Sequence, residues 1–386
     1  MKPLNLLITS PSYPPDNNGL GNAVHQQVQA LTAAGYRVTI ATGGRVRRQR
    51  IEQMSGAIIE EFFVTGANCI LNPLRGDIDG YVDYLKKSSF DIIISNAWQT
   101  WSTDILLNNI YSIKGRKYLY SHCISTNQFF KSQPLRSLIR YFAWRPYWRK
   151  VPIKMRALDG MIFLADNGCD SRFDDLCLAK KLGVHYAVIP NTYSKYCDFS
   201  RSVMNKGNLV RNHILAVGSY DWFKGHDFVI KAYAHSEIKN KIPIKICGQR
   251  FNSFVDRLKS LSENLGVSPN YLSFHECIKN EQLISEYNFA RIVVSGSYTE
   301  CQPLVLLDAM ATGTPFIARS SGCIPYLEGG LAVKSVEEAS LAINKLICDK
   351  NKWNFLSNDG LSASRKKYSP AVVGSKLIDF IMSVRL

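Results

Sequence analysis

The chain has 386 residues and a formal net charge of +16, with 47 lysines and arginines against 31 acids. Hydrophobic residues make up 46% and charged residues 20%, which excludes a disordered, collagenous or coiled-coil chain and leaves a globular protein of two or three domains. The positive excess points to an anionic partner: a nucleotide or sugar phosphate, a nucleic acid, or a membrane surface. No charged segment followed by a long apolar run opens the chain; Leu4, Leu6, Leu7 and Ile8 predict a first strand instead. The ten cysteines are therefore expected as free thiols of a cytosolic protein, and their spacing offers no C-x-x-C pair for zinc. No apolar run approaches the roughly 18 residues that would span a bilayer.

After the first strand and a Pro/Gly/Asn loop, residues 23–34 have helical spacing and stop at Gly35. Residues 38–41, 91–95, 118–120 and 161–164 follow as short apolar strands. Continuous apolar strands separated by helical stretches predict a parallel sheet covered on both faces, a doubly wound α/β domain. A polar stretch around 200–212 then interrupts the pattern. It restarts with strands at 213–218, 244–248, 272–274, 292–295 and 315–318, a second domain of the same kind. Residues 369–386 begin at Ser-Pro and have helical apolar spacing. Ligands of such sheets bind beyond the carboxyl ends of the strands, so the loops after each strand are where chemistry is sought.

The most informative loop runs from Ser297 to Pro315. Pro303 suits the first position of a helix and Gly313 its stop, which places Glu300 just before the helix and Asp308 on it among apolar neighbours. Free backbone N–H groups and a partial positive charge at the helix start stabilise a diphosphate. Carboxylates on either side of it can accept hydrogen bonds from hydroxyls. A diphosphate between two polyols is a nucleotide sugar. A solvated loop acid and a core-paired acid are the bland alternative for Glu300 and Asp308.

This segment resembles the signature of the retaining family 4 glycosyltransferases, in which a Glu is followed after seven residues by a second acid before Ala-Met and Gly-Thr-Pro. The resemblance implies the GT-B fold: α/β, with two Rossmann-like doubly wound domains facing a central cleft and a C-terminal helix crossing back to the first. It implies that Glu300 binds donor-sugar hydroxyls and that Asp308, where the family has Glu, binds the ribose. Gln302, which stands where the family has an aromatic residue, and Pro303 and Leu304 at the helix start are further expected donor-binding residues, and so is Ser219. Residues 217–225 are similar to the family's diphosphate segment: Lys224 keeps its place, to neutralise the leaving diphosphate, while Ser219 replaces the usual Arg. Arg250, after the next glycine-ended strand, is the candidate substitute. Gly19 and Gly21 resemble the N-terminal glycine loop facing the diphosphate and acceptor. His122, two residues past a strand, matches a His near the donor sugar. Cys277 falls where the nucleobase is read through backbone groups. Ile189-Pro190-Asn191 matches the interdomain crossover.

The expected domains are residues 1–195 (acceptor), 205–365 (nucleotide-sugar donor) and 366–386 (helix packing back). Two basic clusters lie in the first. Arg45, Arg47, Arg48 and Arg50 form one; the other is Arg136, Arg140, Arg145, Arg149, Lys150, Lys154 and Arg156, interleaved with Tyr141, Phe142, Trp144, Tyr147 and Trp148 and without an acid. Pro146 and Pro152 are expected to prevent one long helix there. Basic residues with Trp and Tyr suit an anionic membrane; they also suit a single-stranded nucleic acid, and a solvated basic face that packs its aromatics on the core is the bland alternative. The reading that follows is a cytoplasmic retaining glycosyltransferase, peripheral on the inner membrane face. Its donor is a nucleoside-diphosphate sugar and its acceptor a hydroxyl of a glycan or lipid-linked glycan in bacterial surface polysaccharide synthesis. Lys224, Glu300 and His122 are its catalytic residues. It expects no cofactor beyond the co-substrate, no metal and no nucleic acid. A GT-B epimerase, a basic nucleic-acid-binding protein and a protein that binds nucleotide sugars without turnover are the alternatives.

Overall fold

A computed structural model describes residues 4–15, 18–44, 51–54 (backbone only), 56–124, 129–130, 133–198 and 210–383. The chain divides into two compact units. The first comprises Met1–Asp166, Asp170–Pro190 and Pro370–Leu386; the second comprises Asn167–Cys169 and Asn191–Ser369. The arginines Arg45, Arg47, Arg48 and Arg50 lie outside the described residues.

In chain order the first unit has β1 (Asn5–Thr9), α1 (Gly19–Ala33), β2 (Arg37–Gly43), β3 (Ile51–Met54), β4 (Ala57–Phe62), β5 (Val64–Thr65) and β6 (Arg75–Gly76). Then come α2 (Ile78–Lys87), β7 (Ile92–Asn96), α3 (Trp101–Asn108), β8 (Arg116–Tyr120), α4 (Pro134–Arg156), β9 (Gly160–Phe163), α5 (Asp174–Leu182) and β10 (Tyr186–Val188). The sheet order is β10-β9-β8-β7-β1-β2-β4-β3, parallel except for β3, which pairs antiparallel with β4 at the edge. Leu6, Leu7 and Ile8 are fully buried, as a strand covered on both faces requires. β5 and β6 form a separate hairpin. The C-terminal helix, Pro370–Ser383, belongs to this unit. Gly374 lets it approach α1: a Cβ there would sit 2.9 Å from the Ala30 Cβ. The Tyr118 hydroxyl donates to the Ile381 carbonyl (3.1 Å), and Phe380 packs edge-on against the Tyr118 ring.

Two expectations are corrected here. Residues 134–156 form one continuous helix with Pro146 and Pro152 inside it. Tyr147, Val151 and Met155 bury one face across both prolines, and that burial outweighs the two lost backbone donors. The glycine loop is the other correction. α1 begins at Gly19, so Gly19 and Gly21 stand in its first turn; the Asn18 side chain caps it by accepting from the Gly21 N–H (2.8 Å).

The second unit has β11 (His213–Val217), α6 (His226–Ala234), β12 (Ile244–Gly248), α7 (Ser253–Asn264), β13 (Leu272–Glu276), α8 (Asn280–Phe289) and β14 (Ala290–Ser295). These lead to α9 (Leu304–Ala311), β15 (Phe316–Arg319), β16 (Gly330–Val333), α10 (Val336–Cys348) and α11 (Lys350–Lys367). Its sheet is parallel throughout, in the order β13-β12-β11-β14-β15-β16. The order reverses at β11, so the loops after β11 and β14 leave the sheet at a topological switch point. Cys69, Cys169, Cys177, Cys197, Cys247, Cys277, Cys323 and Cys348 are free thiols; the expectation of ten does not extend to Cys123 and Cys301.

Candidate active site

Backbone contact without side chains joins the loops after β11 and β14. Gly225 has φ +65, and a Cβ there would lie 1.9 Å from the Gly296 carbonyl oxygen; a Cβ on Gly296 would lie 2.1 Å from the Gly225 oxygen. The Tyr298 N–H donates to the Phe223 carbonyl at 2.8 Å, and the Ser297 Oγ lies 3.2 Å from the same carbonyl. This stitching sets Lys224 Nζ 2.7 Å from Glu300 Oε1. The same oxygen accepts from Ser297 Oγ at 2.8 Å. Both charged side chains are mostly buried, at 29% and 14% exposure, which strengthens the pair relative to one in open water. Glu300 Oε2 bonds to no described residue. A third loop packs against the Glu300 backbone: Gly322 has φ +52, and a Cβ there would meet the Glu300 main-chain carbonyl oxygen at 2.0 Å.

The segment 218–225 is held from beneath. His226 is buried, and its Nε2 lies 3.2 Å from the carbonyls of both Gly218 and Ser219. Burial lowers its basicity, so a neutral ring donates Nε2–H to these two acceptors. Tyr220 is also buried; its hydroxyl donates to the carbonyls of Ile246 (2.9 Å) and His275 (2.7 Å), tying the ends of β11, β12 and β13 together. Gly248 leaves room for that ring: a Cβ would stand 2.4 Å from Tyr220 Cε2.

Ser219, Arg250 and Cys277 occupy the loops after β11, β12 and β13. Arg250 is exposed and bonds to no described residue. Cys277 has φ +54; its N–H and thiol both donate to the Gln249 carbonyl. α9 begins at Leu304, and Pro303 is its cap rather than its first residue. No side chain caps that end; the N–H groups of Leu304 and Val305 donate to no described acceptor.

The structure gives two of the expected ligand residues another task. Gln302 is buried, its Oε1 accepts from the Asn191 N–H (2.6 Å) and its carbonyl accepts from Asn191 Nδ2 (3.2 Å). Its amide anchors the chain after Pro190 and is not available to a sugar. Asp308 Oδ1 accepts from the Ser194 N–H (2.7 Å) and the Cys197 thiol (3.7 Å). The residue keeps some exposed surface, but burial of its carboxyl raises the pKa to about 6.

In the first unit His122 stacks on Tyr120 at 4.9 Å between centroids. Its Nε2 lies 3.0 Å from Asn96 Oδ1, which also accepts from Gln27 Nε2 at 2.9 Å. Asn96 Nδ2 faces the Thr9 carbonyl (3.4 Å), which fixes the amide so that its oxygen faces the ring. The hydrogen therefore sits on Nε2 and Nδ1 is the acceptor. Burial lowers the imidazole pKa to about 3, so the ring stays neutral. Next to it, buried Asp175 accepts from Ser121 Oγ and from Trp98 Nε1 (2.9 Å), and burial raises its pKa to about 6. Sequence reading missed Ser297, His226, Tyr220, Asn96 and Asp175. Each acts through a backbone group or a neighbour far along the chain, and only the short Ser297–Glu300 spacing carries a local signal.

Comparison with known proteins agrees with this architecture. The chain resembles sucrose-phosphate synthase from Thermosynechococcus elongatus, with a TM-score of 0.75, 18% identity and 99% of each chain covered. It also resembles Anabaena HepE in complex with UDP and glucose, with a TM-score of 0.65, 14% identity and coverage of 99% and 100%. The fold is that of the GT-B glycosyltransferases. Residues 204–360 match the family described as glycosyl transferases group 1. A D-inositol 3-phosphate glycosyltransferase of Corynebacterium aurimucosum is 33% identical over 144 residues. That match spans about a third of this chain and of that relative, at 34% of each.

Proposed function

We propose that the protein is a retaining glycosyltransferase that takes a sugar from a nucleoside-diphosphate sugar. The observation that carries this reading is the Lys224–Glu300 pair, held at 2.7 Å at a switch point and followed by the uncapped start of α9. Lys224 and the α9 amides offer positive charge to a departing diphosphate, and Glu300 Oε2 offers an acceptor to a sugar hydroxyl. In the reaction, the bond from the anomeric carbon to the diphosphate oxygen breaks. An acceptor hydroxyl forms the new bond on the same face, and its proton passes to the leaving diphosphate. No side-chain nucleophile and no divalent metal are required in this reading. In this reading Ser219 and Arg250, in the loops after β11 and β12, meet phosphate oxygens, Cys277 lies by the base, Gly19 and Gly21 face the donor diphosphate and the acceptor, and His122 acts near the donor sugar.

The acceptor in this reading is a glycan or lipid-linked glycan, and the product a bacterial surface polysaccharide such as O-antigen, capsule or lipopolysaccharide, built at the cytoplasmic membrane face. A phosphorylated polyol or sugar is the second acceptor reading. It is favoured by the names of the relatives, a D-inositol 3-phosphate glycosyltransferase and a sucrose-phosphate synthase. A thermal-shift panel of nucleotide sugars tests the donor. A matching donor at a hundred times its Kd stabilises the native state by about 2.7 kcal/mol, and Glu300→Gln should reduce the shift. Failure of every nucleotide sugar to move the midpoint would overturn the reading.

A further inference from the structure

A helix on the surface of a globular domain normally has one apolar face, turned inward. α4 has two. Its inward face carries Ser137, Tyr147, Val151 and Met155, all buried. Its opposite face carries Leu135, Leu138, Ile139, Phe142 and Ile153, which are 47–70% exposed. These recur at i, i+3, i+4, i+7 and i+18, a stripe along one side of the helix. A second element extends the stripe. The Cys69 thiol donates to the Ala143 carbonyl at 3.8 Å, so the turn at Cys69–Asn72 rests on α4. At the tip of that turn Ile70 and Leu71 are 84% and 58% exposed. Nothing in the sequence joins residues 70 and 142.

The charge around the stripe has one sign. Arg136, Arg145, Arg149, Lys150 and Arg156 are exposed, and no acid occurs from 134 to 156. A second copy of the chain would bring these cations against themselves. A nucleic acid would require several open aromatic faces, yet among the rings at 141–148 only Phe142 is more than half exposed. Tyr147 is buried and donates to Asp104 Oδ1 (2.8 Å), and Trp144 and Trp148 pack edge-on against it. The Arg145 guanidinium covers the Tyr141 ring. What remains outward is mostly aliphatic, which suits acyl chains rather than bases.

We propose that α4 and the 69–72 turn dock on an anionic lipid surface. The aliphatic stripe enters the acyl region and the flanking arginines meet headgroup phosphates. Vesicle binding is read without donor or acceptor, so its outcome is separate from that of the sugar-transfer reading. The test is co-sedimentation of the full chain with vesicles of phosphatidylcholine alone or with about a third phosphatidylglycerol. Anionic vesicles should bind at least roughly tenfold tighter, a preference lost in the double variant Arg145→Gln/Arg149→Gln and in high salt. Leu138→Ser/Phe142→Ser should weaken binding by roughly tenfold or more with an unchanged thermal midpoint. If that variant unfolds, Ile70→Ser/Leu71→Ser on the turn makes the same test. Equal binding to neutral vesicles, or wild-type binding by both serine variants, overturns the proposal. So does a single-stranded oligonucleotide that binds tighter than vesicles and loses affinity with the same serines.

Discussion

Replacing Asp308 with Asn isolates the energetic cost of one buried carboxylate. Burial raises its pKa from 3.8 to about 6, roughly two units, and each unit is about 1.36 kcal/mol. The native state therefore holds this proton more tightly than the unfolded chain does. Stability from this group is full below about pH 4, falls as pH rises toward 6, and stays low above it. Asn keeps an oxygen for the Ser194 N–H (2.7 Å) and has no charge to bury. With the remaining exposure and the lost charge-assisted bond discounted, Asp308→Asn should be about 1–3 kcal/mol more stable than wild type at pH 8. The gap should close near pH 4.5. Urea unfolding at both pH values measures it. Asp175 titrates with the same sign in both proteins and cancels from the difference. A variant less stable than wild type by the same amount at both pH values would refute the reasoning. A donor affinity that falls in the variant would add a ribose contact to the role of Asp308.

Lys224→Met should lower turnover by about 10²–10³ if the cation meets a leaving diphosphate. Removing the cation also leaves the largely buried Glu300 without its partner, so a stability loss of about 1–3 kcal/mol is expected beside it, and unchanged turnover would count against the mechanism. Asn96→Asp places a carboxylate 3.0 Å from His122 Nε2, so the imidazole pKa should climb from about 3 to the ordinary histidine range or above. A ring-proton NMR titration reads this directly, and titration still below pH 4 would refute the tautomer assignment. Gly225→Ala forces a Cβ to within 1.9 Å of the Gly296 oxygen at φ +65, and a loss of about 2–4 kcal/mol is expected in chemical denaturation. A near-neutral change would mean that the two loops are not joined there.

The core strands were legible because a strand covered on both faces leaves no polar residue to blur it. Residues 244–248 were read with the bounds the strand has, and 38–41 and 91–95 fell within two residues of theirs. β3, β4 and β16 were missed because they lie toward the sheet edges, where polar residues alternate with apolar ones or the run is short. Helix bounds were less secure: α1 begins four residues before the apolar spacing does, because Asn18 rather than a hydrophobic residue starts it. Lys224 and Glu300 were legible as motif positions, but their mutual contact is made by Gly225 and Gly296 and is invisible in sequence. Gln302 looked like a ligand residue because it follows the loop acid; its partner, Asn191, is 111 residues away. The basic segment showed its charge in sequence but not its geometry: Trp144, Tyr147 and Trp148 pack on one another while Phe142 stays outward.

The C-terminal helix closes a sheet whose first strand was laid down some 365 residues earlier. During synthesis the ribosome therefore releases everything the second unit needs before the first has its final piece. The later half can fold while the earlier half still lacks the helix that covers Tyr118 and α1. Chains that end at residue 369 and have been released from the ribosome should carry a protease-resistant second half behind a cleavable first half, the reverse of the usual order of emergence.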